Sequence, residues 1–184
     1  MTRGGVNVTD MVTPVEPPPE PPESLTDPRE LLLGYLDFYR DAVLRKLDGL
    51  PEERLRTSVL PSGWTPLELL NHLAHVETRW LSWGFAAEPV DEPWGDHGPD
   101  DRWHVPDGRS AEDVKAAFTA ACARSREIVA AARLDDLAAT GGRFDGSGPV
   151  PSLAWILFHV LQEYARHVGH LDVTRELMDG MIGE

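Results

Sequence analysis

The stretch 152–172 constrains this chain more than any other. Leu153, Ile156, Leu157, Val160, Leu161, Tyr164, Val168 and Leu171 recur at helical spacing. They predict one long helix that Ser152 caps and that ends near Asp179 and Gly180. Its polar residues are not those of a solvated face. His159, Glu163 and His167 follow one another every four residues and form one narrow stripe, with His170 three residues further on. Imidazole nitrogens and carboxylate oxygens are the donors that zinc and similar divalent ions take. A Glu-x-x-x-His pair offers two of them from adjacent turns, and a closed site needs at least a third from elsewhere.

A source for that third donor is the segment that opens Trp64-Thr65-Pro66. Thr65 caps, Pro66 suits the first helical position, and Glu68 completes a capping box. Leu69, Leu73, Val76 and Trp80 form the apolar stripe of this helix, and His72, between Leu69 and Val76, faces inward with them. A single inward histidine is more often a satisfied core residue than a ligand; here a second helix offers partners. His75 serves either as a supporting partner or as surface, and His159 can replace or supplement a ligand.

Two more segments carry helical periodicity. The first starts at Asp27, a good cap, with Pro28 after it, and runs through Leu31, Leu32, Tyr35, Leu36, Phe38, Tyr39, Val43, Leu44 and Leu47 to the breaker Gly49-Leu50-Pro51. The other starts with the capping residues Ser110 and Asp113 and runs to about Arg133. No segment alternates with the period of a strand. The fold class is therefore all-α, a four-helix bundle with a long irregular loop at 84–109 between its second and third long helices. Residues 1–25, with the run Pro17-Pro-Pro-Glu-Pro-Pro-Glu23, read as a flexible tail, and 26–184 as the domain.

The resemblance to a known family rests on three features. A Gly63-Trp64-Thr65-Pro66 start and a histidine on the first turns of the helix after it are two. The third is the sequence Glu163-Tyr-x-x-His167-x-Gly169-His170-x-Asp172 on another long helix. Together they resemble the DinB-like superfamily, and within it the actinobacterial branch of mycothiol S-transferases, over roughly 28–180. The resemblance implies a four-helix bundle with a divalent metal held by three side chains. Most members use three histidines, whereas the mycothiol-dependent isomerase relatives use His, Glu and His. Carried onto this sequence, the metal ligands are His72, Glu163 and His167. Glu163 stands where many members have histidine, which favours the thiol-transferase side of the family. Zinc is the first expectation for the metal, with nickel or iron as alternatives, and a low-molecular-weight thiol such as mycothiol is the implied co-substrate. His170 is the candidate catalytic residue, accepting the thiol proton or orienting Glu163 or His167. Arg166 and Asp172 are a candidate supporting pair.

Composition narrows the function classes. The formal charge is −14, from 31 acidic and 17 basic residues, which argues against nucleic acid and against an anionic membrane surface. No apolar run approaches the ~18 residues that read as a membrane span. No apolar leader opens the chain, so a cytoplasmic location is expected. The only cysteine, Cys122, sits in an Ala-rich apolar setting and reads as a buried small side chain rather than a nucleophile. Gly141-Gly142 and Gly146-Ser-Gly148 lack the Lys-Ser/Thr of a phosphate loop. In the acidic loop 88–104, Trp94, His97, Trp103 and His104 either line the mouth of a pocket over the metal or pin the loop to the bundle. Three functions follow: a metal-dependent thiol S-transferase acting on small electrophiles, a metal-dependent hydrolase, and a non-catalytic metal- or ligand-binding bundle. The broad apolar faces of the first and last helices add the expectation of a homodimer.

Overall fold

A computed structural model describes residues 19–182 of the chain. The described residues are helical, with no strand, and contain two isolated bridge pairs, His97–Trp103 and Leu137–Ser152. The long helices are α1 (Pro28–Leu47), α3 (Pro66–Glu77), α4 (Ala111–Ala130) and α5 (Leu153–Asp179), and a single turn, α2 (Glu52–Leu55), follows α1. Each long helix begins where its capping chemistry predicts. Asp27 accepts from the Glu30 N–H at 2.9 Å, Thr65–Glu68 and Ser110–Asp113 form reciprocal capping boxes, and Ser152 accepts from the Trp155 N–H at 3.3 Å. Gly180 closes α5 in the left-handed conformation at φ 77°. Of the expected tail, residues 1–18 lie outside the described residues. Residues 19–25 lie against α1, where the Tyr35 hydroxyl donates to Glu20 at 3.3 Å and the Pro21 ring fills the space over Gly34.

Helix α3 does not stop at Glu77. It continues as a π-helical segment over Thr78–Phe85, which hands its last bonds from the Ala86 N–H to the Leu81 carbonyl and from the Glu88 N–H to the Ser82 carbonyl, each 2.9 Å. A side chain at Gly84 would meet the Arg79 carbonyl oxygen at 2.7 Å, so only glycine fits this wide turn. The sequence pattern carried helix to Trp80 and gave no sign of the change in pitch.

Helix α3 packs chiefly on α4, α1 on α5, and α3 also meets α5. Leu36, Leu69, Leu70, Leu73, Phe118, Ile156, Leu157 and Val160 fill the space between them. The core also holds a polar knot. Glu77, fully buried, takes a two-pronged ion pair from Arg40 (2.8 and 3.0 Å) and a hydrogen bond from the Tyr164 hydroxyl (2.7 Å). Cys122 lies against the same pair, its sulfur 3.7 Å from Glu77 Oε1 and 3.6 Å from Tyr164 Oη. Burial and the Glu77 charge push the Cys122 thiol up to about 12. Cys122 is thus the small buried side chain that its setting predicts. In the native protein it is expected to stay unmodified by Ellman's reagent at pH 8 over the time in which guanidinium-unfolded protein titrates fully; rapid native modification would place this thiol elsewhere.

Candidate metal centre

Helices α3 and α5 bring the expected ligands together. One donor atom from each of His72, Glu163 and His167 lies within 4.8 Å of the other two. His72 is buried, and its Nδ1–H donates to Asp96 Oδ2 at 2.8 Å. That bond fixes the tautomer, because an ionised carboxylate only accepts, and it leaves the Nε2 lone pair as the free donor. His72 Nε2 is buried and has no hydrogen-bond partner among the described residues. A buried nitrogen left unpaired costs roughly 1–3 kcal/mol, so its presence beside a carboxylate and a second imidazole fits a divalent ion. The residues present therefore match the metal that the sequence resemblance implies.

The other two candidate ligands sit one turn apart on α5. His167 Nε2 and Glu163 Oε2 are 3.1 Å apart, and the contact with His167 holds the Glu163 carboxyl down at about 2 despite partial burial. His167 Nδ1 is 3.3 Å from Nδ1 of His170, which is exposed. Partial desolvation, with His167 and Arg166 nearby, lowers the His170 pKa and favours the neutral imidazole. His159 Nε2 reaches Glu163 Oε1 at 3.5 Å, from the side opposite His167. Asp172 does not pair with Arg166. It lies on the α1 side of α5 and pairs with Lys46.

Asp96 is the residue at this cluster that sequence reasoning passed over. It comes from the loop between the π-helical segment and α4 and is fully buried, holding His72 with one oxygen and the Arg79 guanidinium with the other. Burial alone would raise its carboxyl; the hydrogen bonds from His72 and Arg79 overcome that and hold it well below the usual carboxylate range. The backbone supports the loop, with the His104 N–H donating to the Asp96 carbonyl at 2.7 Å and Asn71 Nδ2 donating to the His104 carbonyl at 2.8 Å. The only sequence signal was an acidic residue in a Trp-rich loop too long to be a mere connection. His72, Asp96 and His97 form a second group with ligand spacing. Arg79 already occupies Asp96 there, so a cation would sit against a guanidinium, and the group with Glu163 and His167 fits better.

The loop tryptophans split between the two roles expected of them. Trp103 stacks on His72 (4.4 Å, 22°) and meets His167 edge-on (5.1 Å, 70°), covering the cluster. Trp64 lies 6.0 Å from both Trp103 and His170. A cleft of about 310 Å³, lined in part by Trp64, Glu68, Asp100, Arg102, Trp103 and His104, opens beside these rings. Trp94 instead covers the Arg79 guanidinium at 4.6 Å and remains half exposed. None of the helices among the described residues is long and apolar enough to cross a membrane.

A comparison with family models matches residues 31–180 to the family described as Mycothiol-S-transferase. Comparison with curated proteins found no match. The match spans most of the chain and includes all three clustered side chains, and the fold is the all-helical one that the resemblance implied. The chain belongs to the Mycothiol-S-transferase family, of the DinB-like branch.

Proposed function

We propose that the protein is a metal-dependent S-transferase that joins a low-molecular-weight thiol, mycothiol, to a small electrophile. The observation that carries this reading is the unpartnered buried Nε2 of His72 beside Glu163 and His167. His72, Glu163 and His167 would hold one divalent ion, zinc in the first instance. Three protein ligands leave an open position, as in catalytic zinc sites. A divalent ion so held lowers the pKa of a thiol, which keeps it nucleophilic at neutral pH. Each side chain then has a distinct task. Asp96 fixes the ring and the tautomer of His72. Trp103 covers the two imidazoles and keeps bulk water off them. His170, neutral and exposed beside His167, takes up the thiol proton. The nucleophile has to come from outside the chain, because its one thiol is buried in the Glu77 knot.

The test uses protein purified without chelator. Metal is measured by emission spectroscopy, and mycothiol consumption is followed with monochlorobimane. Stoichiometric metal and turnover that disappears on chelation and returns with added zinc are expected. Bound metal with ester or amide hydrolysis and no thiol consumption would replace this reading with the hydrolase.

A second expected result concerns Asp96. Asp96→Asn keeps the shape of the side chain but removes its charge from the His72 Nδ1–H and from Arg79. Loss of such a supporting carboxylate typically lowers metal affinity about 10–100-fold. Competition against a chromogenic chelator should read that loss; unchanged affinity would show that Asp96 serves Arg79 alone.

A further inference from the structure

One arginine of this acidic chain is held by aromatic rings instead of by a carboxylate. Arg40, Arg56, Arg79, Arg124, Arg126, Arg133 and Arg175 all reach carboxylates. Arg143 does not, and aromatic faces surround it instead: its guanidinium carbon is 4.2 Å from the centre of the Trp80 ring, 5.4 Å from Trp94 and 6.0 Å from Trp83. Among the described residues its guanidinium makes no hydrogen bond or ion pair, and the charged neighbour that acts on it is another cation, Arg79. Burial and Arg79 both disfavour its charge. A guanidinium has five donors in a fork that matches a carboxylate, and here none of them is met by an anion among the described residues.

The backbone holds this arrangement in place. The Arg143 N–H donates to the Trp83 carbonyl at 3.1 Å and the Ala139 N–H to the Phe85 carbonyl at 2.8 Å, so the connector before α5 is tied to the π-helical segment. A side chain at Gly142 would come within 2.1 Å of the Trp83 carbonyl oxygen, so this approach requires glycine. The wide helical turn and the glycine together set Arg143 over Trp80.

The patch adjoins the metal centre. The Trp80 ring lies 4.1 Å from the His159 ring, His159 stacks on Trp155 (5.6 Å, 9°), and His159 Nε2 is 3.5 Å from Glu163 Oε1. Trp94 and Trp155 are about half exposed, at 48% and 54%, so flat apolar surface faces solvent between the cation and the ligand helix.

We infer that Arg143, with Trp80, Trp94 and Trp155, binds the electrophilic co-substrate and selects planar unsaturated compounds that carry a carboxylate. The ring of the compound lies on the tryptophan faces, its anion on Arg143 and its electrophilic carbon toward Glu163 and the thiol. The inference rests on the S-transferase reading for its reaction and on the geometry of the patch for its ligand. With an aryl chloride, the thiolate sulfur forms a C–S bond to the ring carbon, the C–Cl bond breaks, chloride leaves with the electron pair, and the thiol proton taken up by His170 passes on to the buffer.

The experiment compares chlorodinitrobenzene with chlorodinitrobenzoate, which differ by the carboxylate. Metal-loaded protein and mycothiol should turn over the carboxylated compound with the higher kcat/KM. Arg143→Gln should lower the ratio of the two kcat/KM values about tenfold or more, the loss expected for one charge-assisted pair, and Arg143→Lys should restore part of it. A fall common to both compounds would mean that Arg143 only supports the loop, and would overturn the inference. Calorimetric binding of unreactive dinitrobenzoate and dinitrobenzene supplies the readout that needs no turnover. Selective loss of dinitrobenzoate binding in Arg143→Gln would support the subsite even if no thiol transfer is found, in which case the transferase reading alone fails. Wild-type protein that binds the two compounds equally would overturn the subsite whatever the activity.

Discussion

His72→Ala is expected to strip the purified protein of stoichiometric divalent metal while leaving its helix content intact. His72 is the one candidate ligand supplied by α3, and Glu163 and His167 on α5 cannot close a site alone. Its Nε2 has no hydrogen-bond partner among the described residues, so the variant removes a donor and breaks only the side-chain hydrogen bond from Nδ1 to Asp96. Affinity should fall by more than the roughly 10–100-fold of a supporting residue, because a direct donor is lost. Mycothiol consumption should fall with it. Helix content should persist because Leu69, Leu70 and Leu73 anchor α3 independently of the histidine. Emission spectroscopy reports metal and circular dichroism reports fold. Full occupancy in His72→Ala would remove this histidine from the site and make His159, 3.5 Å from Glu163, the better donor.

The second large effect is on stability. Arg40→Ala leaves the Glu77 carboxylate fully buried with only the Tyr164 hydroxyl and the Cys122 thiol against it. Removing one partner of a buried ion pair typically costs about 3–5 kcal/mol. For a domain of this size that is a fall in Tm of roughly 10 °C or more. Replacing both partners should cost much less than removing one, because the uncompensated charge goes as well. Arg40→Met with Glu77→Gln keeps an acceptor for Tyr164 and should recover most of the loss. Thermal and denaturant unfolding of the two variants measure this directly. A double variant no more stable than Arg40→Ala would mean that packing around Arg40, not its charge, sets the cost. Neither variant touches the three clustered side chains, so metal content should be unchanged.

These two experiments divide along the line between local and tertiary information. Asp27, Thr65, Ser110 and Ser152 mark helix starts because a cap satisfies backbone groups within three residues of itself, a decision made by adjacent sequence. Glu163 and His167 share a face because helical pitch puts residues four apart side by side, wherever the helix lies. The inward turn of His72 followed from the same pitch. Family resemblance then joined the two helices into one site, and the fold brings those three side chains within reach of one another.

What the sequence alone could not give is every partner that arrives from a distant part of the chain. Asp96 reaches His72 across 24 residues, and Arg40 reaches Glu77 across 37. Trp103 covers the imidazoles and Arg143 lies over Trp80 from loops with no periodicity to read. The change to π pitch after Glu77 is likewise invisible in an apolar pattern, since it depends on Gly84 closing against a carbonyl five residues back. Asp172 shows the same limit in reverse: Arg166 is the near cation in sequence, yet packing of α1 on α5 supplies Lys46. The sequence by itself determined where the long helices begin and which faces of α3 and α5 carry His72, Glu163 and His167, because those depend on bonds within one or two turns. Only the tertiary structure decided which carboxylate orients His72, which ring covers it and which rings gather around Arg143, because burial is a property of packed elements and not of any one segment.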